Sequence, residues 1–313
     1  MGPETLIIDP TAGSQEILPD SERADFVQLR LKERPGLPLE AEVLSPDVFA
    51  GLSLDEIRAL PVLLGKQKCR LDDFFEIYGE KSKRLVLHGN LARVKRIGQG
   101  MTFGEIVIRG NSGMHLGAEM KGGSIRVYGD TADWLGAEMT GGLIRVHGNA
   151  GGQVGAAYRG SRKGMLGGTI LVDGTAGIEA GMRMRRGLIS IQGNVGDFAG
   201  LQMRGGTLFL GGKAGIRTGA WMSRGTIVAM EQPRLLPTFL YSCTCKPVFL
   251  RLLWKQFQDL NVPVPEWAWN GLVRRYTGDT SELGKGEILV FDPESNNAGP
   301  VIPGAGRAEE GLK

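Results

Sequence analysis

Glycine returns at a fixed interval through the middle of this chain, and that interval constrains the fold more than any other feature. GEIVIRGNSGMHLGAEMKG, GSIRVYGDTADWLGAEMTG and GLIRVHGNAGGQVGAAYRG follow one another without a break. GTILVDGTAGIEAGMRMRR, GLISIQGNVGDFAGLQMRG and GTLFLGGKAGIRTGAWMSR come further on. The glycine after each apolar run falls at Gly110, Gly129, Gly148, Gly174, Gly193 and Gly212, so the steps are 19, 19, 26, 19 and 19. A second glycine follows seven residues later each time, at Gly117, Gly136, Gly155, Gly181, Gly200 and Gly219. An irregular forerunner sits at Gly89 and Gly98, and an incomplete last unit begins at Thr226.

Each unit holds a short apolar run that alternates with period two. Ile106, Ile125, Ile144, Ile170, Ile189, Leu208 and Ile227 align, and so do Ile108, Val127, Val146, Val172, Ile191 and Leu210. Such alternation puts both rows on one face of a strand. A strand–helix–strand crossover needs about 30 residues, so a 19-residue unit fits one coil of a solenoid instead. Stacked coils pair each strand in parallel with its copies, and like residues then form ladders. The spacing predicts a mainly β fold: a right-handed parallel β-helix of Gly-rich coils over residues 85–230. The hexapeptide coils of left-handed acyltransferase helices do not fit, because 19 is not a multiple of six.

Three further rows belong to the same pattern. Ser112, Thr131, Ala150, Ala176, Val195 and Ala214 are small enough to turn inward at a corner. Met120, Met139, Met165, Met184, Met203 and Met222 form a methionine row, read as core filling by a flexible side chain. Asn90, Asn111, Asn149 and Asn194, with Asp130 in register, follow the strand glycine, where they tolerate tight turns and can hydrogen-bond from coil to coil. The single step of 26 is the one departure, and its extra residues lie within Ala157–Gly164. An insertion in a solenoid maps to a loop on its flank. This loop carries Arg159, Arg162 and Lys163, the candidate site for a polyanion or for a sister chain.

Composition agrees with an ordered chain rich in turns. There are 49 Gly against 15 Pro without a three-residue period, which excludes collagen, and a 42% hydrophobic content argues against disorder. Cys69, Cys243 and Cys245 give neither a disulfide framework nor a zinc or iron–sulfur spacing. No secretory leader and no apolar run of membrane-spanning length is visible, so a soluble, cytoplasmic protein is expected. The net charge is +3, but residues 81–230 carry 20 basic against 8 acidic side chains, while residues 1–80 carry 8 against 16. A basic middle suggests an anionic partner, either an acidic sister surface or a ligand.

The flanks read differently. In residues 1–84, expected to form a small α+β domain over the open first coil, Phe26–Leu31 alternate as a strand and Pro35-Gly36 turns the chain. Ser45-Pro46 starts one short helix, and Ser53 with Glu56 forms a capping box for another. Residues 231–292 are expected to be a helical cap with a last strand at Gly286–Phe291, its helix having apolar residues at 249, 252, 253, 257 and 260. Residues 293–313 read as a loose tail.

Catalytic chemistry finds little purchase. His88 and His147 sit on an outward row together with Arg109, Tyr128, Asp173 and Gln192. No Ser/His/Asp order, HExxH or P-loop occurs. The GxGxxG-like strings recur with the repeat and lack a surrounding βαβ unit, so no nucleotide site is expected. No catalytic residue and no metal ligand is therefore assigned to this chain.

The runs GMTFGEIVIRGNSGMHLGAEMKGGSIRVYGD, MTGGLIRVHGNAGGQVGAAYRGSRKGMLGG and GMRMRRGLISIQGNVGDFAG closely resemble the C subunit of formylmethanofuran dehydrogenases. The flanks LKERPGLPLEAEVLSPDVFAGLSLDEIRALPVLLGK and LLPTFLYSCTCKPVFLRL are most similar to the C subunit of the bacterial formyltransferase/hydrolase complex. The resemblance spans about residues 25–292. It implies a scaffold subunit beside the A, B and D sister subunits of the same complex. That complex passes a formyl group from tetrahydromethanopterin to a methanofuran-type carrier and hydrolyses it to formate, in one-carbon oxidation. Catalysis and metal belong to the sisters, and no cofactor is expected on this chain alone. The carrier's polyglutamate tail would suit the basic middle segment. No nucleic acid and no membrane partner is implied. The alternative is the C subunit of a molybdenum- or tungsten-dependent formylmethanofuran dehydrogenase, whose metal would lie in a sister chain.

Overall fold

The structure, a computed structural model, describes residues 26–79 and 81–291. The first 25 positions of the N-terminal unit and the tail expected at 293–313 lie outside these residues. The N-terminal unit contributes β1 (Val27–Leu31), β2 (Leu39–Glu40), β3 (Pro61–Leu64), β4 (Gln67–Arg70) and β5 (Phe75–Gly79). Three short helices lie among them: α1 (Pro46–Phe49), α2 (Leu54–Arg58) and α3 (Leu71–Phe74). Next come β6 (Arg84–His88) and β7 (Val94–Lys95). The repeats supply β8 (Glu105–Arg109), β9 (Ser124–Val127), β10 (Leu143–Val146), β11 (Thr169–Val172), β12 (Leu188–Ile191), β13 (Arg204–Leu210) and β14 (Arg224–Ala229). The chain ends in β15 (Leu240–Cys245), α4 (Phe249–Asp259), a 3-10 turn (Glu266–Trp269), β16 (Val273–Gly278) and β17 (Gly286–Phe291).

The protein is mainly β. One sheet of 13 strands runs β15-β16-β17-β14-β13-β12-β11-β10-β9-β8-β6-β1-β5. From β1 to β17 every neighbouring pair is parallel, and equivalent residues face each other: Ile106 opposite Ile125, Ile125 opposite Ile144, and Leu208 opposite both Ile189 and Ile227. Ile144 faces Ile170 although 26 residues separate them, so the insertion leaves the register untouched. A second parallel ladder of single bridges runs from Leu91 through Ser112, Thr131, Ala150, Ala176 and Val195 to Ala214.

Both aliphatic rows and all six methionines of the repeat are buried in one core. Fully burying one such aliphatic side chain is worth about 1.5–3 kcal/mol. The stack thus holds its shape through an apolar, side-chain-filled interior. The tight packing explains two of the glycine positions. A Cβ on Gly129 would lie 2.3 Å from the Asn111 side-chain oxygen of the preceding coil. Gly136 has φ +58°, and a Cβ there would also meet Ile170 Cδ1 at 2.5 Å.

At the N-terminal end β1 continues the parallel stack beside β6, and β5 closes that edge antiparallel to β1. The expected strand and both short helices are present, with Ser45 as N-cap of α1 and a Ser53–Glu56 capping box on α2. Leu44 and Phe49 share the core of the coils, and the Leu44 carbonyl accepts a hydrogen bond from Gly98 N at 2.9 Å. Burial alone would raise the Asp47 pKa, but hydrogen bonds from the Thr102 hydroxyl and backbone N–H hold it below the ordinary value.

The C-terminal region departs from the sequence reading. β17 stands where expected, pairing parallel with β14 and placing Ile288 beside Ile227. The helix spans Phe249–Asp259, but it does not close the end of the stack. It lies on the outer face of the sheet, packing Leu250, Leu253, Trp254 and Phe257 with Leu171, Leu188, Phe209 and Val228. Leu252, read as part of the apolar face, is 72% exposed. Beyond β17 the sheet is extended by the antiparallel strands β16 and β15, which carry no strong alternation. Among the described residues no helix is long and apolar enough to cross a membrane.

Candidate functional site: the basic loop and its anchors

The inserted loop begins where the chain leaves a corner. Corner residues at equivalent positions of successive coils, Arg96, His115, Trp134 and Gln153, all have φ near +60°. Left-handed backbone is costly for such residues, and a stack of identical corners holds it in place. It also makes their side chains stand together on the flank. His115 and Trp134 stack at 6.4 Å between ring centroids. Tyr158, the second residue of the loop, packs on both, at 5.0 Å from Trp134 and 5.6 Å from His115.

Hydrogen bonds fix the loop at several points. The Tyr158 hydroxyl is 2.9 Å from His115 Nδ1, and Tyr158 N donates to Glu138 Oε1 at 3.0 Å. Arg183 donates to the Ser161 carbonyl, and Arg185 to the Arg162 carbonyl at 3.4 Å. Ala157 N donates to Met182 O at 3.1 Å, and Gly164 N to Arg183 O at 3.0 Å. Burial pushes the Tyr158 phenol up to about 12. Burial, reinforced by Arg96 and Lys95, holds His115 below its ordinary value, so the pair is neutral near pH 7.

Arg159, Arg162 and Lys163, the residues singled out by the sequence, are all exposed on this pinned loop. None of them has a carboxylate partner among the described residues. Two features escaped the sequence reading. One is the aromatic anchor, because His115, Trp134 and Tyr158 come from three coils and share no motif. The other is the cationic surroundings. Arg183 and Arg185 hold the loop's carbonyls, and Arg204 stands directly opposite Arg224 in register. Arg185 Nε is buried without a hydrogen-bond partner. Like charges placed opposite each other across strands oppose folding unless a counter-charge is near.

No family model matches the chain. Stretches of it are similar to curated proteins. The C subunit of the tungsten-containing formylmethanofuran dehydrogenase 2 of Methanothermobacter wolfeii is 46% identical over 92 residues, which is 28% of this chain and 34% of that protein. The C subunit of the molybdenum-containing formylmethanofuran dehydrogenase 1 of Methanosarcina barkeri is 45% identical over 90 residues, 27% of this chain and 30% of that protein. The chain thus spans about a third of the length of the curated relatives it matches. A likeness over nearly the whole fold exists to a chain in the X-ray crystal structure of the formyltransferase/hydrolase complex (FhcABCD) from Methylorubrum extorquens in complex with methylofuran. Its TM-score is 0.79 at 35% identity, covering 84% of this chain and 98% of that one. On these likenesses the chain belongs to the family of formylmethanofuran dehydrogenase C subunits.

Proposed function

We propose that this chain is a non-catalytic, cytoplasmic scaffold subunit of a formyltransferase/hydrolase complex. Its stacked coils are read as a right-handed parallel β-helix between an α+β unit and the C-terminal region. The A, B and D sister subunits would transfer a formyl group from formyl-tetrahydromethanopterin to a methanofuran-type carrier and hydrolyse it to formate. The observation that carries this reading is the likeness to a chain of that complex over 98% of its length. The interior supports it, because ladders of isoleucine and methionine fill the space that a reaction centre would need.

The loop bearing Arg159, Arg162 and Lys163 is read as the contact for the carrier's polyglutamate tail or for an acidic sister surface. Guanidinium groups bind carboxylates with two parallel hydrogen bonds, which suits either partner. A second reading, the C subunit of a molybdenum- or tungsten-dependent dehydrogenase, draws on the 46% identity to the archaeal proteins. Co-expression with the neighbouring sister genes separates the two. The first reading expects a purified assembly that releases formate from formyl-tetrahydromethanopterin without molybdenum or tungsten, while the pure chain turns nothing over. An assembly that carries either metal and oxidises the formyl group would favour the second.

A further inference from the structure

The outer face of the sheet is covered at both ends and open between them. Phe26 covers Val86 and Val107 on one side, and α4 covers Leu171, Leu188, Phe209 and Val228 on the other. Between them lies a cleft of about 530 Å³, bounded by the C-terminal turn of α4 at Asp259, Leu260 and Asn261. That volume is within the range of small-molecule sites. Its floor is β9 and β10, and the alternation of β9 sends Ile125 and Val127 into the core. Ser124, Arg126 and Tyr128 therefore face the cleft.

Arg126 stands opposite Arg145 in register, so the two side chains leave neighbouring strands on the same face. Neighbouring strands are about 4.8 Å apart. Arg145 is fully engaged: it bonds both Asp173 oxygens at 3.2 and 3.3 Å, the Leu260 carbonyl at 2.6 Å and the Asn261 carbonyl at 3.1 Å. Arg126 is exposed, with no acceptor among the described residues. Its fork is the one unspent anion-binding group on this floor. Tyr128, 53% exposed, is held in place by stacking on His147 at 5.0 Å, and His147 Nδ1 is fixed by Asp173 at 2.8 Å. The phenol ring is thus a rigid platform beside an unpaired guanidinium.

The opposite wall has the other sign. The Leu260 and Asn261 carbonyls of this wall are taken by Arg145, and its free group is the exposed carboxylate of Asp259. This wall repels a phosphate dianion and favours a hydrogen-bond donor. We propose that the cleft binds a planar aromatic monocarboxylate. Its carboxylate sits on the Arg126 fork near Ser124, its ring lies on Tyr128, and a donor at its far end meets the Asp259 carboxylate. The site is built from strand residues and goes beyond the role proposed for the basic loop.

Calorimetric titration of the full chain with para-aminobenzoate, benzoate and inorganic phosphate tests this. Saturable binding of para-aminobenzoate, tighter than benzoate and without measurable phosphate binding, is expected. Arg126→Ala should weaken it by about tenfold or more, Arg126→Lys less, since the charge stays and the fork is lost. Tyr128→Ala should weaken it as well, while Lys213→Ala, four coils further along the stack, leaves it unchanged. Arg126 makes no described contact that folding relies on, so its variants report on binding. Equal affinity in Arg126→Ala, absence of saturation with para-aminobenzoate, or tighter binding of phosphate would each overturn the assignment.

Discussion

The side-chain oxygen of Asn149 accepts two hydrogen bonds from Thr175, one coil further on, from its backbone N and its hydroxyl, both at 2.9 Å. The same oxygen lies 2.5 Å from where a Cβ on Gly174 would stand. Asparagine and glycine are therefore two halves of one device: the first coil sends an acceptor upward, and the next leaves room for it. Asn111 and Asn194 repeat the bond with Asp130 N and Lys213 N, each at 2.9 Å.

Asn149→Ala should cost about 0.5–1.5 kcal/mol, the usual net value of such a bond. Gly174→Ala should cost more, because the added methyl meets not only Asn149 but also the Gly148 carbonyl oxygen at 2.7 Å. Removing the asparagine should therefore fail to rescue the alanine. Thermal unfolding of the two single variants and the double variant checks this, and full rescue would show that the backbone yields easily.

The methionine row is buried throughout, and its Cε atoms press toward the glycines of the next coil: Met139 Cε lies 2.6 Å from where a Cβ on Gly168 would be. Met139→Ala should open a cavity and cost about 2–5 kcal/mol. Met139→Leu conserves volume and should cost less than about 1.5 kcal/mol. Denaturant unfolding measures both. A loss for leucine as large as for alanine would point to a need for sulfur rather than for bulk.

How much of the fold is legible in the sequence follows from what repeats. Ile106, Ile125 and Ile144 recur at one spacing and pair as that spacing requires. The asparagine row is legible as a turn element, but its target, the backbone N–H of the next coil, is not. That target depends on how far each coil rises above the last. The α4 face differs from its sequence pattern for a related reason: Phe249 and Leu252 are as apolar as Leu250 and Trp254, and only the position of the outer sheet face decides which pair is covered. Tyr158 and Trp134 meet because the insertion folds back over a corner, which no local pattern records.

Acid should weaken the fold before its carboxylates titrate. Burial lowers the pKa of His115, helped by Arg96 and Lys95, and burial lowers that of His88, helped by Arg109 and Arg30. A folded-state value below the unfolded 6.5 means that the unfolded chain binds more protons in this range. Stability therefore rises with pH through the window under 6.5 and is lost as pH falls through it. Asp47 and Asp279, held below the ordinary 3.8, add their loss only at lower pH. Unfolding free energy measured between about pH 7 and 5 should fall in the parent, and fall less steeply in His115→Gln with His88→Gln. An unchanged slope in the double variant would place the titration elsewhere.

The three loop cations offer the sharpest separation of stability from association. Arg159, Arg162 and Lys163 are exposed and make no ion pair among the described residues, so their side chains give the isolated fold little. The loop backbone is held instead by Tyr158, Arg183 and Arg185, which the change leaves in place. Replacing all three cations by alanine should leave the unfolding midpoint within error. Losing three exposed positive charges should weaken association with a negatively charged partner, most strongly at low salt, where screening is least. Co-purification with the sister subunits, and the apparent KM for the carrier in the assembly, are the two readouts. A rise in KM with the assembly intact assigns the loop to the carrier, and dissociation at moderate salt assigns it to a sister surface. If stability drops instead, the cations are structural and the loop is not the contact.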